Sequence, residues 1–293
     1  MPTITKTTWA HLALLTVALL YGANYSIAKV AMADNVVPPV GFIAMRVIGA
    51  TLVFTIIHQI FVRESVERQD WGRFILCALC GAGFNLIFFF KGLQITGAIN
   101  AALITTTVPI LVIIISAILI GEKITARKII GILIGAGGAA TIILYGKQTA
   151  LTNVWGNFFI FMNALIFGLY LVLVKSLTAK YHPFTIIRWV FSLGLFIVIP
   201  LAWSDLTTMQ WATYTPTVWS AIAYVVIGAT ILTYLLNVVA LQFVNPSVVS
   251  TYIYLQPLIA TIIALSIGSE TLSTTKIVAG LAIFAGVFLV SND

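Results

Sequence analysis

Long apolar segments make up most of the chain, and short polar stretches with turn residues and charges separate them. A helix needs about 20 residues to cross the apolar core of a bilayer, and most of these segments reach that length. The pattern therefore predicts ten transmembrane helices, which we call spans 1 to 10. They are expected at residues 9–29, 39–62, 72–90, 97–120, 126–146, 155–177, 183–203, 217–242, 247–268 and 275–291.

Composition leads to the same interpretation. Of the 293 residues, 61% are hydrophobic and only 8% are charged, whereas ordinary soluble domains contain about 25% charged residues. An aqueous fold cannot hide so much apolar surface, so much of that surface must face lipid. The expected fold class is an all-α polytopic membrane protein.

The two halves of the chain carry the same uncommon residues in the same order. Pro109 and Glu122 in span 4 recur 148 residues later as Pro257 and Glu270. Such a fixed offset is typical of an internal repeat. It predicts two five-helix repeats, at residues 1–148 and 149–293. Because five is an odd number, the second repeat must enter the membrane from the opposite side, and the repeats are inverted. An offset of 146 pairs Trp9 with Trp155, Gly22 with Gly168 and Lys29 with Lys175.

Positive charges are concentrated on one side of this arrangement. The N-terminus and the loops after spans 2, 4 and 6 contain nine lysines and arginines, and the opposite side contains four. Lysine and arginine prefer cytoplasmic loops. We therefore expect a multi-pass protein of the cell's inner (plasma) membrane, with both termini in the cytoplasm. The net charge of +7 then reflects orientation, and no nucleic-acid partner is expected.

Polar residues inside the spans are the candidate binding groups. Inverted repeats are typical of alternating-access transporters, which bind substrate between the repeats near the middle of the membrane. We expect a central cavity that is lined by aromatic and hydrogen-bonding side chains from six spans. The alternative is that these side chains join helices, for roughly 0.6 kcal/mol per hydrogen bond. The predicted substrate-binding residues are Tyr21, Asn24, Tyr25, Asn85, Thr105, Tyr170, Tyr234, Asn237, Tyr252 and Gln256.

Two arginines and two prolines lie within apolar segments. Arg46 and Arg188 each occur early in the second helix of a repeat. A guanidinium binds a carboxylate through two parallel hydrogen bonds, so each arginine is a candidate carboxylate contact. The alternative is a structural role, in which the side chain reaches the helix end or ties helices together. Pro109 and Pro257 interrupt helical hydrogen bonding and are the predicted hinges. Near Pro109, the hydroxyls of neighbouring threonines are expected to satisfy freed carbonyls.

The acidic residues and histidines argue against other chemistry. All eight Asp and Glu residues lie in predicted loops or at span ends, which argues against proton exchange through an acid in mid-membrane. Glu122 and Glu270 are expected to cap helices or organise loops. The three histidines are far apart and match no metal-binding or catalytic motif. Neither an enzyme, a metal site nor a cofactor is expected.

Several motifs resemble the drug/metabolite transporter superfamily in its ten-helix form with two EamA-type repeats. They are "LLYGANYSIAK" in span 1, "PPVGFIAMRVIGATLVF" around span 2, a proline in span 4 followed by Gly-Glu, and the glycine-rich "GILIGAGGAA" of span 5. The second repeat has "GSE" in place of Gly-Glu. The resemblance implies secondary transport of small metabolites. Similar YddG-like members export aromatic amino acids through ten helices around a central cavity.

We therefore hypothesise an exporter of neutral or aromatic amino acids, or related zwitterions, that works by alternating access. Its expected partners are a small-molecule substrate and the lipid bilayer, with the protein a monomer or a homodimer. Two alternatives stay open. Relatives that exchange phosphates use buried basic residues. An exchanger of anionic, phosphorylated or carboxylate metabolites would therefore also fit the basic residues Lys29, Arg46, Lys175 and Arg188. The other alternative is a membrane scaffold or sensor that transports nothing.

Overall fold

The computed structural model describes residues 5–32, 36–96, 101, 104–144, 154–266 and 273–292. Within these ranges the regular secondary structure is helical and contains no strand. The principal helices are α1 (Lys6–Met32), α2 (Pro39–Ile57), α3 (Trp71–Ala78), α4 (Phe84–Thr96), α5 (Val108–Ile120), α6 (Ala126–Leu144), α7 (Val154–Thr178), α8 (Pro183–Thr208), α9 (Pro216–Val226), α10 (Thr233–Leu241), α11 (Pro246–Thr251), α12 (Leu255–Ser266) and α13 (Thr274–Ser291).

The helices confirm the predicted fold class. Among the described residues, seven helical segments are long and apolar enough to cross a membrane, and Val108–Ile120 is a shorter apolar helix. The protein is thus an all-helical, polytopic membrane protein, whereas the count of ten spans stays a prediction. The seven segments are Val40–Val62, Arg68–Gly92, Val154–Thr178, Pro183–Thr208, Pro216–Leu241, Pro246–Ile263 and Thr274–Ser291.

Three of these segments contain a π-helical turn, in which the backbone hydrogen bonds span one more residue than in an α-helix. One of them, His58–Val62, follows α2. Of the other two, Leu79–Gly83 connects α3 to α4, and Ile227–Leu232 connects α9 to α10. These two connecting turns begin 148 residues apart, which is also the offset between Pro109 and Pro257. The two predicted repeats therefore depart from α-helical geometry at equivalent positions.

The most extensive helix pairs join the N-terminal half of the chain to the C-terminal half. Helix α6 packs along α13, α2 along α8, and α4 and α5 along α7, while α1 packs against α9, α10 and α12. Small residues permit close approach of membrane helices. Gly131 and Gly135 on α6 face Gly286 on α13 so closely that a Cβ on Gly286 would lie 2.5 Å from the Gly131 carbonyl oxygen.

A charged network joins the two halves at the end of the bundle where basic residues are concentrated. The Lys180 ammonium donates to a carboxylate oxygen of Asp70 and to one of Glu67, both at 2.6 Å. The Tyr181 hydroxyl also donates to Asp70, at 2.6 Å. Asp70 and then Glu67 hold the pKa of Lys180 above its ordinary value, since both stabilise its charged form.

The structure corrects the position of Pro109 relative to its helix. Sequence reasoning places this proline inside span 4, but it is the second residue of α5, after a turn at Thr106–Thr107. A proline is tolerated in the first turn because its missing N–H has no helical partner there. Thr105 donates to the Ala101 carbonyl, and the Thr106 carbonyl accepts a hydrogen bond from the Tyr254 hydroxyl at 3.2 Å.

Candidate functional site

Arg46 reaches from the N-terminal half into the C-terminal half inside the bundle. Its side chain belongs to α2, and the residue is only 7% exposed. Its Nε donates to the Thr230 hydroxyl at 2.8 Å, and its Nη2 donates to the Ala229 carbonyl at 3.2 Å. Both acceptors lie in the π-helical turn Ile227–Leu232. The extra residue of a π turn disturbs the hydrogen bonds between main-chain carbonyl and N–H groups of the helix. A side chain can then donate a hydrogen bond to a carbonyl of the turn.

Tyr234 makes the reciprocal connection from the C-terminal half. Its hydroxyl donates to the Gly81 carbonyl at 2.8 Å, and Gly81 lies in the equivalent π-helical turn of the N-terminal half, Leu79–Gly83. Each half thus sends a buried polar side chain to a backbone carbonyl in one of these two equivalent π turns of the other half. We call Tyr21, Arg46, Tyr170, Thr230, Thr233 and Tyr234 the central polar cluster.

Aromatic rings surround this cluster. The Tyr234 ring centroid lies 5.9 Å from that of Tyr170 and 4.8 Å from that of Phe191. The Tyr170 ring lies against Gly81, where a Cβ would come within 2.6 Å of it, so only glycine fits. On α1, the half-buried Tyr21 side chain interacts with the Thr233 hydroxyl and with the Arg46 charge.

Two polar atoms in this region are buried without a hydrogen-bond partner among the described residues. They are the Tyr170 hydroxyl and Oδ1 of Asn24. Most buried polar groups in proteins are paired, so an unpaired one calls for a specific explanation. In a membrane protein with a polar centre, such atoms are candidate contacts for a bound molecule.

The comparison with known protein families follows from this architecture. A family model described as the EamA-like transporter family matches residues 8–144 and again residues 154–292. The chain belongs to the EamA-like transporter family. The two matches together cover nearly the whole chain, and each half of the chain contains one of the two π turns that begin 148 residues apart.

Relatives of this EamA-like transporter are known from bacteria and archaea. An uncharacterized transporter, YyaM of Bacillus subtilis, is 23% identical over 96% of this chain and 93% of its own length. An uncharacterized transporter of Archaeoglobus fulgidus is 22% identical over 95% of this chain and 96% of its own. A solved structure, described as the crystal structure of a protein, is similar to this chain with a TM-score of 0.78 and 19% sequence identity. The match covers 96% of this chain and 95% of the other chain, which shows a shared fold.

Some predicted binding residues of the EamA-like transporter instead join helices. The Asn163 side-chain amide donates to the Asn85 carbonyl at 2.9 Å, and the Asn85 amide donates to the Asn163 carbonyl at 3.4 Å, which links α4 to α7. The Tyr252 hydroxyl lies 2.9 Å from Nδ1 of His11 on α1. For Asn85 and Tyr252 these contacts favour the structural alternative.

The remaining predicted residues are distributed along the bundle. Asn237 is buried on α10, three residues after Tyr234. Gln256 is partly buried on α12, and its main-chain carbonyl faces Gly22. Thr105 bonds its own helix, as described above. The Tyr25 side chain and Glu270 lie outside the described residues. Pro257 is the third residue of α12, after a 3₁₀ turn at Tyr252–Tyr254.

Arg188 has a different environment from Arg46. Its Nη1 lies 2.9 Å from Nδ1 of His58, and its guanidinium lies 4.6 Å from the centre of the Trp189 ring. Because arginine can only donate, Nδ1 of His58 must accept, which requires the neutral tautomer with its proton on Nε2. Arg188 therefore ties the start of α8 to His58, which follows α2 and begins the π turn His58–Val62. Of the two arginines, only Arg46 belongs to the central polar cluster.

Two cavities lie elsewhere in the described part of the chain. One, of about 550 Å³, lies between α6 and α13 and is lined mainly by small and aliphatic residues. The other, of about 610 Å³, lies at the end of α5 and contains Glu122 and the lysines Lys123, Lys128 and Lys175. Neither is lined by a predicted substrate-binding residue.

The two tyrosines of the cluster are expected to respond differently to loss of the hydroxyl. Tyr234→Phe removes the donor to Gly81 and should lower the free energy of unfolding by about 1 kcal/mol. Tyr170→Phe removes a buried hydroxyl that has no partner in the described part of the chain, so stability should be unchanged or slightly higher. Thermal unfolding of both variants in the same detergent measures this difference. Equal destabilisation would show that the Tyr170 hydroxyl is satisfied within the protein.

Proposed function

We propose that this EamA-like transporter is a secondary transporter that exports small zwitterionic metabolites, most simply neutral or aromatic amino acids. Membership of a transporter family supports the class of function. The observation that carries the substrate proposal is the central polar cluster. It combines one arginine, three tyrosines and buried hydroxyls in an otherwise apolar bundle.

Arg46 is the proposed contact for the substrate carboxylate. A guanidinium has five N–H groups, and the described contacts of Arg46 use two nitrogen atoms, Nε and Nη2. The bonds to the π turn hold the guanidinium plane in place, as is required for a two-pronged hydrogen bond to a carboxylate. Tyr21 lies beside this group.

Tyr170, Tyr234 and Phe191 are the proposed contacts for an apolar or aromatic side chain. Stacked and edge-to-face aromatic pairs contribute roughly 0.5–1.5 kcal/mol beyond the burial of their area. The unpaired Tyr170 hydroxyl and the unpaired Asn24 oxygen supply further hydrogen-bonding groups for the polar end of a zwitterion. Asn237 extends the same face of α10.

Alternating access is the proposed mechanism, with the two repeats moving relative to each other. Equivalent π turns and the family match to each half support the inverted repeat. So does the contact of Tyr254 with Thr106, because these residues are 148 positions apart and would meet at the axis that relates the repeats. Pro109 and Pro257 begin or closely follow breaks in helical geometry, which suits their proposed role as hinges.

A counterflow assay tests the proposal without knowledge of the coupling ion or the direction of export. Proteoliposomes are loaded with an unlabelled amino acid, and uptake of the same labelled compound is measured against protein-free liposomes. Labelled aromatic and neutral amino acids should accumulate, whereas amines that lack the carboxylate should not. A panel in which nothing exchanges, with or without a pH gradient, would favour a scaffold or sensor.

Exchange of anionic metabolites is the second candidate. The observation in its favour is the cavity at the end of α5, which three lysines and one glutamate line. The same assay distinguishes the candidates, because phosphorylated or dicarboxylate compounds would then exchange and neutral amino acids would not. In either case we propose that the protein lies in the inner membrane with both termini in the cytoplasm.

A further inference from the structure

The guanidinium of Arg46 already uses one of its edges inside the protein. A guanidinium is planar and can offer two parallel N–H groups at either of two edges, a side edge with Nε and Nη2 and a tip edge with Nη1 and Nη2. Nε donates to the Thr230 hydroxyl at 2.8 Å, and Nη2 donates to the Ala229 carbonyl at 3.2 Å. The π turn therefore occupies the side edge, and the tip edge keeps its pair of parallel N–H groups.

Thr230 is held in place by a hydrogen bond of its own. The residue is fully buried in the π turn Ile227–Leu232, and its hydroxyl donates to the Val225 carbonyl at 2.8 Å. A hydroxyl has one proton to donate. Because that proton points to Val225, the oxygen presents a lone pair to Arg46. The bond to Val225 thus fixes the direction from which Nε of Arg46 is bound.

The positive charge of Arg46 has no acidic partner among the described residues. Its charge interacts with the hydroxyl groups of Tyr21 and Tyr234, and tyrosine is uncharged at neutral pH. The salt bridges of the described residues lie at the basic end of the bundle and do not include Arg46. A buried charge is costly to remove from water unless it is paired. A carboxylate at the tip edge would supply the missing counter-charge.

We propose that the substrate carboxylate binds end-on at the tip edge of Arg46, and that Thr230 is the positioning residue that selects this edge. Thr230 acts through the guanidinium. By filling the side edge together with Ala229, it keeps the carboxylate away from that edge and fixes the plane of the other. This inference rests on the proposed function, in which Arg46 contacts the substrate carboxylate. It adds the geometry of that contact and the residue that sets it.

Thr230→Val tests the role of the hydroxyl, because valine keeps the branched shape of threonine. Nε of Arg46 then loses its acceptor, and the guanidinium can turn between several orientations. When a binding group is competent for about a tenth of the time, the apparent affinity falls roughly tenfold. We expect that loss for phenylalanine. Phenylalaninamide lacks the carboxylate, so its affinity should change by less than about twofold, since it depends less on the orientation of the guanidinium.

Thr230→Ser is the conservative variant. Serine keeps a hydroxyl that can accept from Arg46 and donate to the Val225 carbonyl, so the affinity for phenylalanine should stay within about twofold of that of the parent. A threonine that only filled space would give the opposite order. Valine would then behave like the parent, and serine would leave a cavity the size of a methyl group.

The measurement is the rise in unfolding temperature of each purified protein with increasing concentration of phenylalanine or phenylalaninamide, in one detergent. The quantity compared is the ratio of the two apparent dissociation constants. Thr178→Val is the matched control, because it also removes a buried threonine hydroxyl that donates to main-chain carbonyls, those of Lys175 and Leu241. It should lower the unfolding temperature of the free protein and leave the ratio unchanged.

Two results would overturn the inference. One is a Thr230→Val protein with the ratio of the parent, including an equal loss for both compounds, which would make the hydroxyl a structural bond. The other is a Thr230→Ser protein that loses as much affinity for phenylalanine as Thr230→Val. If Thr230→Val does not elute as a folded protein, Thr230→Ala takes its place under the same criteria.

Failure of this inference differs from failure of the proposed function. A parent protein that binds phenylalanine, together with a Thr230→Val protein of unchanged ratio, removes the inference alone. A parent protein that binds neither phenylalanine nor any other neutral amino acid removes the substrate proposal, and the inference with it.

Discussion

Arg46→Lys is expected to lower counterflow of neutral amino acids by about 100-fold or more. Arginine holds the π turn through Nε and Nη2 and still offers N–H groups to a carboxylate, whereas the single ammonium of lysine cannot do both. Each hydrogen bond to a charged group contributes about 1.5–3 kcal/mol, and two are lost. The measurement compares each amino acid with its amide, which lacks the carboxylate and should lose much less.

Arg188→Lys is the matched control for Arg46→Lys. Arg188 contacts His58 and the Trp189 ring near the start of α8 and does not belong to the central polar cluster. Its replacement should reduce exchange of the amino acid and of the amide by similar, small factors. If Arg46→Lys also reduced both compounds equally, Arg46 would be a structural tie between α2 and the π turn and not a substrate contact.

The apolar pattern predicts the helices well because membrane helices must be long and continuously apolar. Spans expected at 155–177, 183–203 and 275–291 correspond to α7, α8 and α13 within a few residues at most ends. The longest difference is at the end of α8, where Pro200 lies inside the helix and does not end it. A proline leaves main-chain carbonyl groups of the helix without their N–H donors. Within a membrane protein, nearby side chains or neighbouring helices can bond to these carbonyls instead.

The two arginines show what the repeat pattern cannot predict. Arg46 and Arg188 occur at similar positions in the two halves, so the sequence offers the same two interpretations for both. Their surroundings differ because Arg46 contacts the π turn Ile227–Leu232 between α9 and α10, whereas Arg188 contacts His58, the first residue of the π turn that follows α2. Those neighbours are far away in sequence, and helical periodicity carries no information about which distant helix a side chain will meet.

The π turns and the burial of the Glu122 side chain were also not predicted from the sequence. The offset of 148 residues does relate the two π turns, so alignment of the halves could have paired them. Nothing in "LCGAG" or "IGATIL" requires a π turn, however, because the choice depends on bonds to Tyr234 and Arg46 from other helices. For Glu122, a position at a span end indicates exposure. Its burial comes with contacts to Lys128 on α6 and Ser247 on α11, and Ser247 is far away in sequence.

Gly286→Ala is expected to cause the largest loss of stability. A methyl group at this position would lie 2.5 Å from the Gly131 carbonyl oxygen and 2.7 Å from the backbone of Gly135. Main-chain atoms cannot rotate aside as a side chain can, so α13 must move away from α6 along their contact. Overpacking of this kind costs about 1–3 kcal/mol or more. The yield of monodisperse protein and its unfolding temperature in detergent are the measurements.

Gly137→Ala on α6 is the control for this prediction. A Cβ at Gly137 meets no atom within 4 Å, and alanine is the better helix former by roughly 1 kcal/mol. That variant should therefore be as stable as the parent or slightly more stable. Similar losses in both variants would show that any added methyl group perturbs α6. A loss confined to Gly286→Ala would show that the contact between α6 and α13 limits the stability of the whole bundle, because these helices belong to different halves of the chain.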